Sequence, residues 1–260
     1  MAPESLPLAI EVDHLSTSYR VHVGARSTWA GLVDLLHRSS TSDRLVPALR
    51  DVSFTVPRGS VLGVVGRNGA GKSTLLRTLA GILAPEEGRV TVRGRISALL
   101  SIGVGFNDLL TGRDNIKLGG LAVGLSDRRL AELSESIAEF AQLGEYLDFP
   151  VKTYSTGMKA RLGFAVSAHL DPEILLIDEA LAGGDAKFKE QVAKKMADLC
   201  GDGRTIVLVS HGLSAIRMMA TKAIWLHQGQ IVEDGDPNDV VGSYMRYSRL
   251  EASSWDFDDE

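Results

Sequence analysis

The sequence predicts an α/β protein with a mainly parallel core sheet, an antiparallel β edge subdomain and an inserted α-helical subdomain. Short apolar runs rich in β-branched residues recur between helical patterns, as is typical of buried parallel strands. Two N-terminal segments alternate apolar and polar residues, which indicates half-exposed strands. From about residue 103 to residue 168 the pattern becomes helical. With 260 residues, 44% of them hydrophobic, the chain can bury a substantial core.

The alternating segments Leu8–His14 and Arg50–Val56 predict the antiparallel edge. Residues 21–47 between them are too long for a simple connection and indicate an insertion. Within it, Ser27 is placed to cap a short helix with one apolar face. The residues of this face are Trp29, Leu32, Val33 and Leu36. The face packs on its own domain, or it meets a partner or a membrane surface, and periodicity alone leaves both alternatives open.

The most informative stretch is residues 61–80. It begins as an apolar run, breaks at Gly66 and resumes at Ser73 with leucines at helical spacing, so it predicts a strand, a glycine loop and a helix. The loop has the Walker A pattern Gly-x-x-x-x-Gly-Lys-Ser, in which backbone N–H groups converge on phosphate at a helix N-terminus. Because the strand and the helix are both present, the P-loop interpretation is favoured over a surface turn.

The P-loop chemistry assigns a role to each polar side chain. Lys72 is predicted to reach the β- and γ-phosphates of a nucleotide, and the Ser73 hydroxyl to ligate Mg²⁺. The residues predicted to bind nucleotide in this segment are Gly66, Arg67, Asn68, Gly69, Ala70, Gly71, Lys72, Ser73 and Thr74.

Two later strands end in polar residues. A buried strand from residue 174 leads to Asp178 and Glu179, and another from residue 205 leads to His211. Ligands of parallel sheets bind at the carboxyl ends of the strands, where the P-loop also lies, so we expect these side chains near the phosphates. A hairpin around Gln228-Gly229 and a last helix follow, and the acidic residues 251–260 are predicted to form a flexible tail.

Charge and cysteine content exclude several classes of protein. The net charge of −5 comes from residues 251–260, which contain five acids and no Lys or Arg. Without a basic excess elsewhere, we expect no nucleic-acid partner. The single cysteine excludes an internal disulfide and a cysteine zinc site. No apolar stretch approaches the roughly 18 residues that span a bilayer, and no signal peptide is recognisable, so we expect a cytoplasmic protein.

Four motifs in order resemble those of ABC ATPases. Residues 154–158, Tyr-Ser-Thr-Gly-Met, resemble the LSGGQ signature, and Asp178 with Glu179 resembles Walker B. Asp185 falls where the D-loop aspartate lies, and His211 resembles the switch histidine. Tyr19 resembles the aromatic residue that stacks on adenine, although a core tyrosine is also compatible with the pattern. The resemblance implies an ABC nucleotide-binding domain over residues 1–250, with a helical subdomain at about 103–168.

This resemblance implies ATP and Mg²⁺ as cofactors. Mg²⁺ is expected between Ser73 and Asp178, while Glu179 orients the attacking water or acts as the general base. His211 is expected to hydrogen-bond the γ-phosphate. The signature residues of one subunit close over ATP bound by the other, which implies a homodimer. The residues expected at that interface are Ser155, Thr156, Gly157, Met158 and Asp185.

Three segments are similar in sequence to ATP-binding subunits of polysaccharide exporters, the group that exports O-antigen, teichoic acid or galactan. These segments are residues 103–115, 154–162 and 178–188. This implies an ATPase that drives export of a lipid-linked polysaccharide, bound to two copies of a polytopic membrane permease. It also implies a peripheral location on the cytoplasmic face of the inner membrane. A short N-terminal helix occurs in this group, which favours an interface role for Trp29.

Other functions remain as alternatives. An ABC importer subunit is the nearest, followed by a soluble ABC switch ATPase. A P-loop small-molecule kinase is disfavoured by the signature and by Glu179. The sequence departs from the family pattern at two places. No glutamine lies between Arg93 and Leu110, where the Q-loop residue is expected, and Ser101 or Ile102 occupies that position. Thr156 replaces the first glycine of the signature.

Overall fold

The computed structural model describes residues 7–22, 43–99, 106–122, 125–170, 172–178, 186–209 and 212–255. They form two β-sheets and seven α-helices within the described ranges. No helix in these ranges is both long enough and apolar enough to cross a membrane.

The smaller sheet is antiparallel and has three strands in the order β2-β1-β4. These strands are β1 (Leu8–His22), β2 (Asp43–Pro57) and β4 (Glu87–Val92). The sequence alternation is realised in β2, where Val52, Phe54 and Val56 are buried and the residues between them are exposed. This sheet is the predicted antiparallel edge.

Both long strands extend further than predicted. Strand β1 pairs with β2 as far as His22 and Asp43, so the two continue as a two-stranded ribbon beyond the part that β4 covers. The ends of the predicted insertion, at 21–22 and 43–47, are therefore strand. Val21, Leu45 and Val46 favour extended backbone, and the pairing between β1 and β2 continues through them. Residues 23–42, with the predicted helix and its face of Trp29, Leu32, Val33 and Leu36, lie outside the described residues.

The larger sheet has six strands in the order β5-β6-β7-β3-β8-β9. They are β3 (Val61–Val65), β5 (Ile96–Leu99), β6 (Ile174–Ile177), β7 (Thr205–Val209), β8 (Lys222–His227) and β9 (Gln230–Gly235). All neighbours are parallel except β8 and β9, which form the predicted hairpin. Strands β3, β6 and β7 are buried along their whole length, as their continuous apolar runs predict.

Six of the described α-helices lie in connections between strands, and the seventh follows β9. The seven are α1 (Lys72–Leu79), α2 (Gly112–Ala122), α3 (Asp127–Ala141), α4 (Thr156–His169), α5 (Ala186–Gly201), α6 (Leu213–Met219) and α7 (Pro237–Trp255). Two 3-10 helices, Gly144–Asp148 and Val151–Thr153, precede α4. Helix α7 runs to Trp255, into the segment predicted as a flexible tail, because no Gly or Pro interrupts it after Gly242.

Three apolar clusters hold these elements together. One lies between the two sheets around α1, with Leu75 and Leu76 fully buried. A second lies on the other face of the six-stranded sheet, under α4 to α7. A third is inside the helical subdomain, and Phe140 of α3 packs against both the second and the third. The predicted fold class, an α/β core with an antiparallel sheet and an inserted helical subdomain, is confirmed.

A buried asparagine organises the entry to the helical subdomain. Asn115 of α2 has no exposed surface. Its Oδ1 accepts from the Asn107 amide at 2.8 Å, and its Nδ2 donates to the carbonyl oxygens of Asn107, Leu110 and Thr111 at 3.0, 3.3 and 2.9 Å. One side chain therefore bonds four backbone groups of the turn that precedes α2.

We expect Asn115→Ala to lower the free energy of unfolding by about 2–4 kcal/mol, because the Asn107 amide loses its acceptor and the carbonyl oxygens of Asn107, Leu110 and Thr111 each lose one of two donors. Asn115→Asp should also destabilise, since a carboxylate offers no donor to the three carbonyls. Urea denaturation measures both. Asn238→Ala on the exposed first turn of α7 is the control and should stay within about 0.5 kcal/mol of the parent. If Asn115→Ala lost no more stability than the Asn238→Ala control, the turn before α2 would not depend on the Asn115 side chain.

Candidate nucleotide-binding site

The glycine loop between β3 and α1 is built where three stretches of backbone meet. Gly71 has φ 106°, and a Cβ atom there would lie 2.6 Å from the carbonyl oxygen of Ala48 in β2. A Cβ atom on Gly66 would clash with the carbonyl oxygen of Leu226 in β8. Only glycine fits at both positions, so the loop is set directly onto its neighbouring strands.

Lys72, the first residue of α1, lies inside the loop. Its side chain is 8% exposed, and Nζ donates to the carbonyl oxygens of Gly66 at 2.7 Å and Arg67 at 2.9 Å. Burial lowers the pKa of Lys72, and the charge of Asp178 partly opposes this. The loop thus encloses a cation, and Asp178 is the carboxylate among the described residues whose charge compensates it, an arrangement that suits an anionic ligand.

Ser73 and Asp178 lie together, as the sequence predicts for a metal pair. Ser73 Oγ donates to Asp178 Oδ2 at 3.0 Å. Asp178 follows β6, two strands from β3 in the parallel sheet, and so reaches the carboxyl edge where α1 begins. A hydroxyl and a carboxylate suit Mg²⁺. The described residues contain no cluster of three or more His, Cys, Asp or Glu that could hold a metal.

A cleft of about 430 Å³ extends from the loop to the β1–β2 ribbon. Its lining includes Asn68, Gly69 and Asp178 at the phosphate end and Tyr19 at the other. The Tyr19 hydroxyl shares a hydrogen bond of 3.3 Å with Thr74 Oγ1, and the residue is 36% exposed. The alternative of a core tyrosine is therefore wrong.

Sequence reasoning missed part of this lining, namely Val46, Pro47 and Ala48 of β2. Tyr19 pairs with Val46 across the ribbon. The signal was weak because Val46 and Pro47 lay within the predicted insertion and Ala48 directly follows it, and only the strand register brings them beside the loop.

The predicted signature forms the start of α4. Ser155 caps the helix, its Oγ accepting from the Met158 amide at 3.2 Å, and Thr156 and Gly157 form the first turn. Ser155 and Thr156 are exposed. Lys159 Nζ, one residue after Met158, pairs with Asp108 at 2.8 Å and ties α4 to the segment before α2. The structure thus leaves these residues on an exposed helix N-terminus, a geometry suited to an anion.

Other predicted site residues lie outside the described residues. These are Glu179, Asp185 and His211, together with Ser101 and Ile102 at the expected Q-loop position. Asp178 directly precedes Glu179, and β7, which leads to His211, pairs with the P-loop strand β3.

The glycine loop, the enclosed lysine and the Ser73–Asp178 pair define a P-loop nucleotide-binding protein. The model of the ABC transporter family matches residues 49–182, just over half of the chain. This chain therefore belongs to the ABC transporter family, as the four motifs predicted.

Curated relatives are named for polysaccharide export, which confirms the finer resemblance. The teichoic acids export ATP-binding protein TagH of Bacillus cereus is 46% identical over 77% of this chain and 36% of its own length. The O-antigen export system ATP-binding protein RfbB of Klebsiella pneumoniae is 37% identical over 91% of this chain and 97% of its own. The chain spans only 36% to 50% of the length of the TagH proteins of Bacillus cereus and Bacillus anthracis and of RfbB of Myxococcus xanthus.

Solved structures share the fold. An ATP-binding subunit of an ABC transporter superposes with a TM-score of 0.73 at 22% identity, covering 91% of this chain and 93% of the other. A dimeric ATP-binding cassette in a post-hydrolysis state, bound to ADP and Pi, gives a TM-score of 0.72 at 19% identity, covering 88% and 98%.

The buried Lys72 leads to a pH prediction for the nucleotide-free protein. The pKa of Lys72 is lowered in the folded chain. In the unfolded chain the same side chain has its ordinary pKa of 10.5 and therefore keeps its proton to a higher pH. Between the lowered pKa and 10.5 the unfolded state binds more protons, and stability contributed at this position therefore rises with pH. Urea denaturation of the parent and of Lys72→Met isolates this effect. The parent should gain stability relative to the variant as the pH rises, and a relative loss would contradict the burial.

Proposed function

We propose that this chain is the ATP-hydrolysing subunit of an ABC exporter that moves a lipid-linked polysaccharide of the O-antigen, teichoic acid or galactan type across the cytoplasmic membrane. The observation that carries the proposal is the Lys72-bearing loop beside the Ser73–Asp178 pair. Relatives named as ATP-binding proteins of teichoic acid and O-antigen export support the substrate class.

In this proposal ATP would occupy the cleft with its triphosphate at the P-loop and its base at Tyr19. The triphosphate lies on the loop, where backbone N–H groups and the Lys72 ammonium supply positive charge. The base lies toward the exposed ring of Tyr19, which is held by Thr74. Mg²⁺ would be held by the Ser73 hydroxyl and, through water, by Asp178, and when bound it would neutralise the β- and γ-phosphate oxygens. The 3.0 Å contact between these two side chains fits that arrangement.

Hydrolysis requires a group that orients water toward the γ-phosphate. Glu179 follows Asp178 directly, and a carboxylate at that position orients the water or accepts its proton. His211 follows the strand next to β3 and would hydrogen-bond the γ-phosphate.

A second copy of the chain would complete the site. The signature residues, Ser155 to Met158, present a hydroxyl and helix N–H groups, and the exposure of Ser155 and Thr156 leaves them accessible to a partner. In a two-fold dimer each signature would cover ATP held by the other P-loop, with Asp185 at the same interface. ATP would then hold the dimer together, and hydrolysis would remove the charge that does so.

Export also requires a membrane partner. We infer a complex with two copies of a polytopic permease, which places the chain peripherally on the cytoplasmic face of the inner membrane. Trp29, Leu32, Val33 and Leu36 are the candidates for contact with the permease or the bilayer surface. The balanced charge of residues 1–250 supports the absence of a nucleic-acid partner.

Two variants separate binding from hydrolysis. Lys72→Ala should weaken ATP affinity at least about tenfold, since the buried ammonium no longer compensates the phosphates. Glu179→Gln should keep ATP affinity but lower turnover about 10²- to 10⁴-fold and trap an ATP-dependent dimer. Titration calorimetry, phosphate release and light scattering measure the three quantities.

Lys117→Ala, at an exposed position on α2, is the control and should behave as the parent. Unchanged ATP affinity in Lys72→Ala would remove the P-loop assignment. Normal hydrolysis in Glu179→Gln would remove the base but leave the binding site in place.

The membrane contact is tested by changing the apolar face. Trp29→Ser with Leu32→Ser should lower co-purification with the permease while basal ATPase activity stays at the parental level, because these residues are remote from the motifs in sequence. Leu121→Ser, an exposed apolar residue on α2, is the matched control. Unaltered assembly in the double variant would assign the face to the core of its own domain.

A further inference from the structure

The turn of the β8–β9 hairpin is bonded to the P-loop. The Gly229 amide donates to the carbonyl oxygen of Ala70 at 3.0 Å, and the Gly229 carbonyl accepts from the Arg50 amide at 2.8 Å. Both polar backbone groups of the turn glycine are thus used, one toward the P-loop and one toward β2. Ala70 lies two residues before Lys72.

The packing at this junction leaves no room for a side chain. Gly229 has φ 81°, and a Cβ atom on it would lie 2.7 Å from the carbonyl oxygen of Ala48. A Cβ atom on Gly71 would lie 2.6 Å from the same oxygen. The Ala48 carbonyl is therefore flanked by two glycines, one in the P-loop and one in the hairpin turn. A displacement of the turn would be transmitted to the loop through backbone alone.

The hairpin itself is firmly held. Gln228 and Gly229 both have positive φ, 48° and 81°, as a two-residue type I′ turn requires. Helix α7 covers β8 with aromatic contacts: the Tyr247 ring lies 5.1 Å from Trp225 and 5.1 Å from His227. The turn is a supported element and can act as a fixed reference for the loop.

We propose that the Gln228–Gly229 turn is a positioning element of the P-loop and that Gly229 sets nucleotide affinity without touching the nucleotide. The inference rests on the proposed ATP binding. Phosphate affinity depends on backbone N–H groups that are already aimed at the ligand, and a shift of the loop by a fraction of an ångström misaligns several of them together.

The test compares two glycines that share a conformation but differ in surroundings. Gly229→Ala and Gly203→Ala both place alanine at positive φ, 81° and 75°, and so carry the same kind of backbone strain. Only Gly229 of these two has a neighbour in the way, because nothing lies within 4 Å of the added carbon at Gly203. A difference in nucleotide affinity between the two variants therefore measures the effect of the contact between the hairpin turn, β2 and the P-loop.

We expect Gly229→Ala to raise the Kd and KM for Mg·ATP about tenfold or more while kcat at saturating ATP stays close to the parental value. Gly203→Ala should change Kd less than about twofold even if both variants lose similar thermal stability. A general loss of structure would lower kcat in proportion to the folded fraction. Equal Kd values in the two variants would overturn the proposal.

Hydrogen exchange on the unmodified protein provides a second test that does not depend on a folded variant. Saturating Mg·ATP should slow exchange in a peptide covering the Gln228–Gly229 turn as well as in the P-loop, with no change around Gly203. Protection of the P-loop without the turn would overturn this inference and leave the proposed function intact. Protection of neither would remove the proposed ATP binding and this inference with it.

Discussion

The close approach of three backbones at the carbonyl oxygen of Ala48 is the constraint on which the site depends. Strand β2, the P-loop and the β8–β9 turn meet there, and Gly71 and Gly229 are the residues that allow it. Side-chain contacts can relax by changing rotamers, but backbone contacts of this kind cannot. The position of Lys72 is therefore set by the surrounding fold. A site that must align several N–H groups with one triphosphate gains from such a rigid support, since little ordering cost remains to be met on binding.

The electrostatics of the site follow from that rigidity. Lys72 is held inside the loop by two carbonyl oxygens, and burial lowers its pKa by disfavouring the charged form. Asp178 compensates part of this cost but is already hydrogen-bonded to Ser73. A bound polyphosphate would add negative charge beside Lys72 and so favour its charged form. The site thus favours an anion, because the fold places a cation where water can solvate it only poorly.

Local patterns were sufficient to predict most of the fold. The buried strands, the glycine loop and the Ser73–Asp178 pair all follow from apolar runs and from the rule that parallel strands deliver ligands at one edge. What could not be predicted depends on contacts between distant segments. Val46 lines the cleft only because of its register with Tyr19. The turn at Gly229 was predicted, yet its bond to Ala70 was not, since no periodicity relates a hairpin to a loop about 160 residues earlier.

The two halves of the proposed site are attached to the core in different ways. The P-loop is joined to its neighbours by backbone hydrogen bonds and glycine contacts. Helix α4, which carries the signature, belongs to the helical subdomain, and side chains make much of its connection to the core. Phe140 packs against Phe164 and Phe188 at centroid distances of 5.7 and 6.0 Å, and α5 carries Phe188. These contacts are made by side chains, which can change rotamer, whereas the P-loop junction is made by backbone. The proposed site therefore combines a P-loop fixed by backbone contacts with a signature helix held largely by side-chain packing.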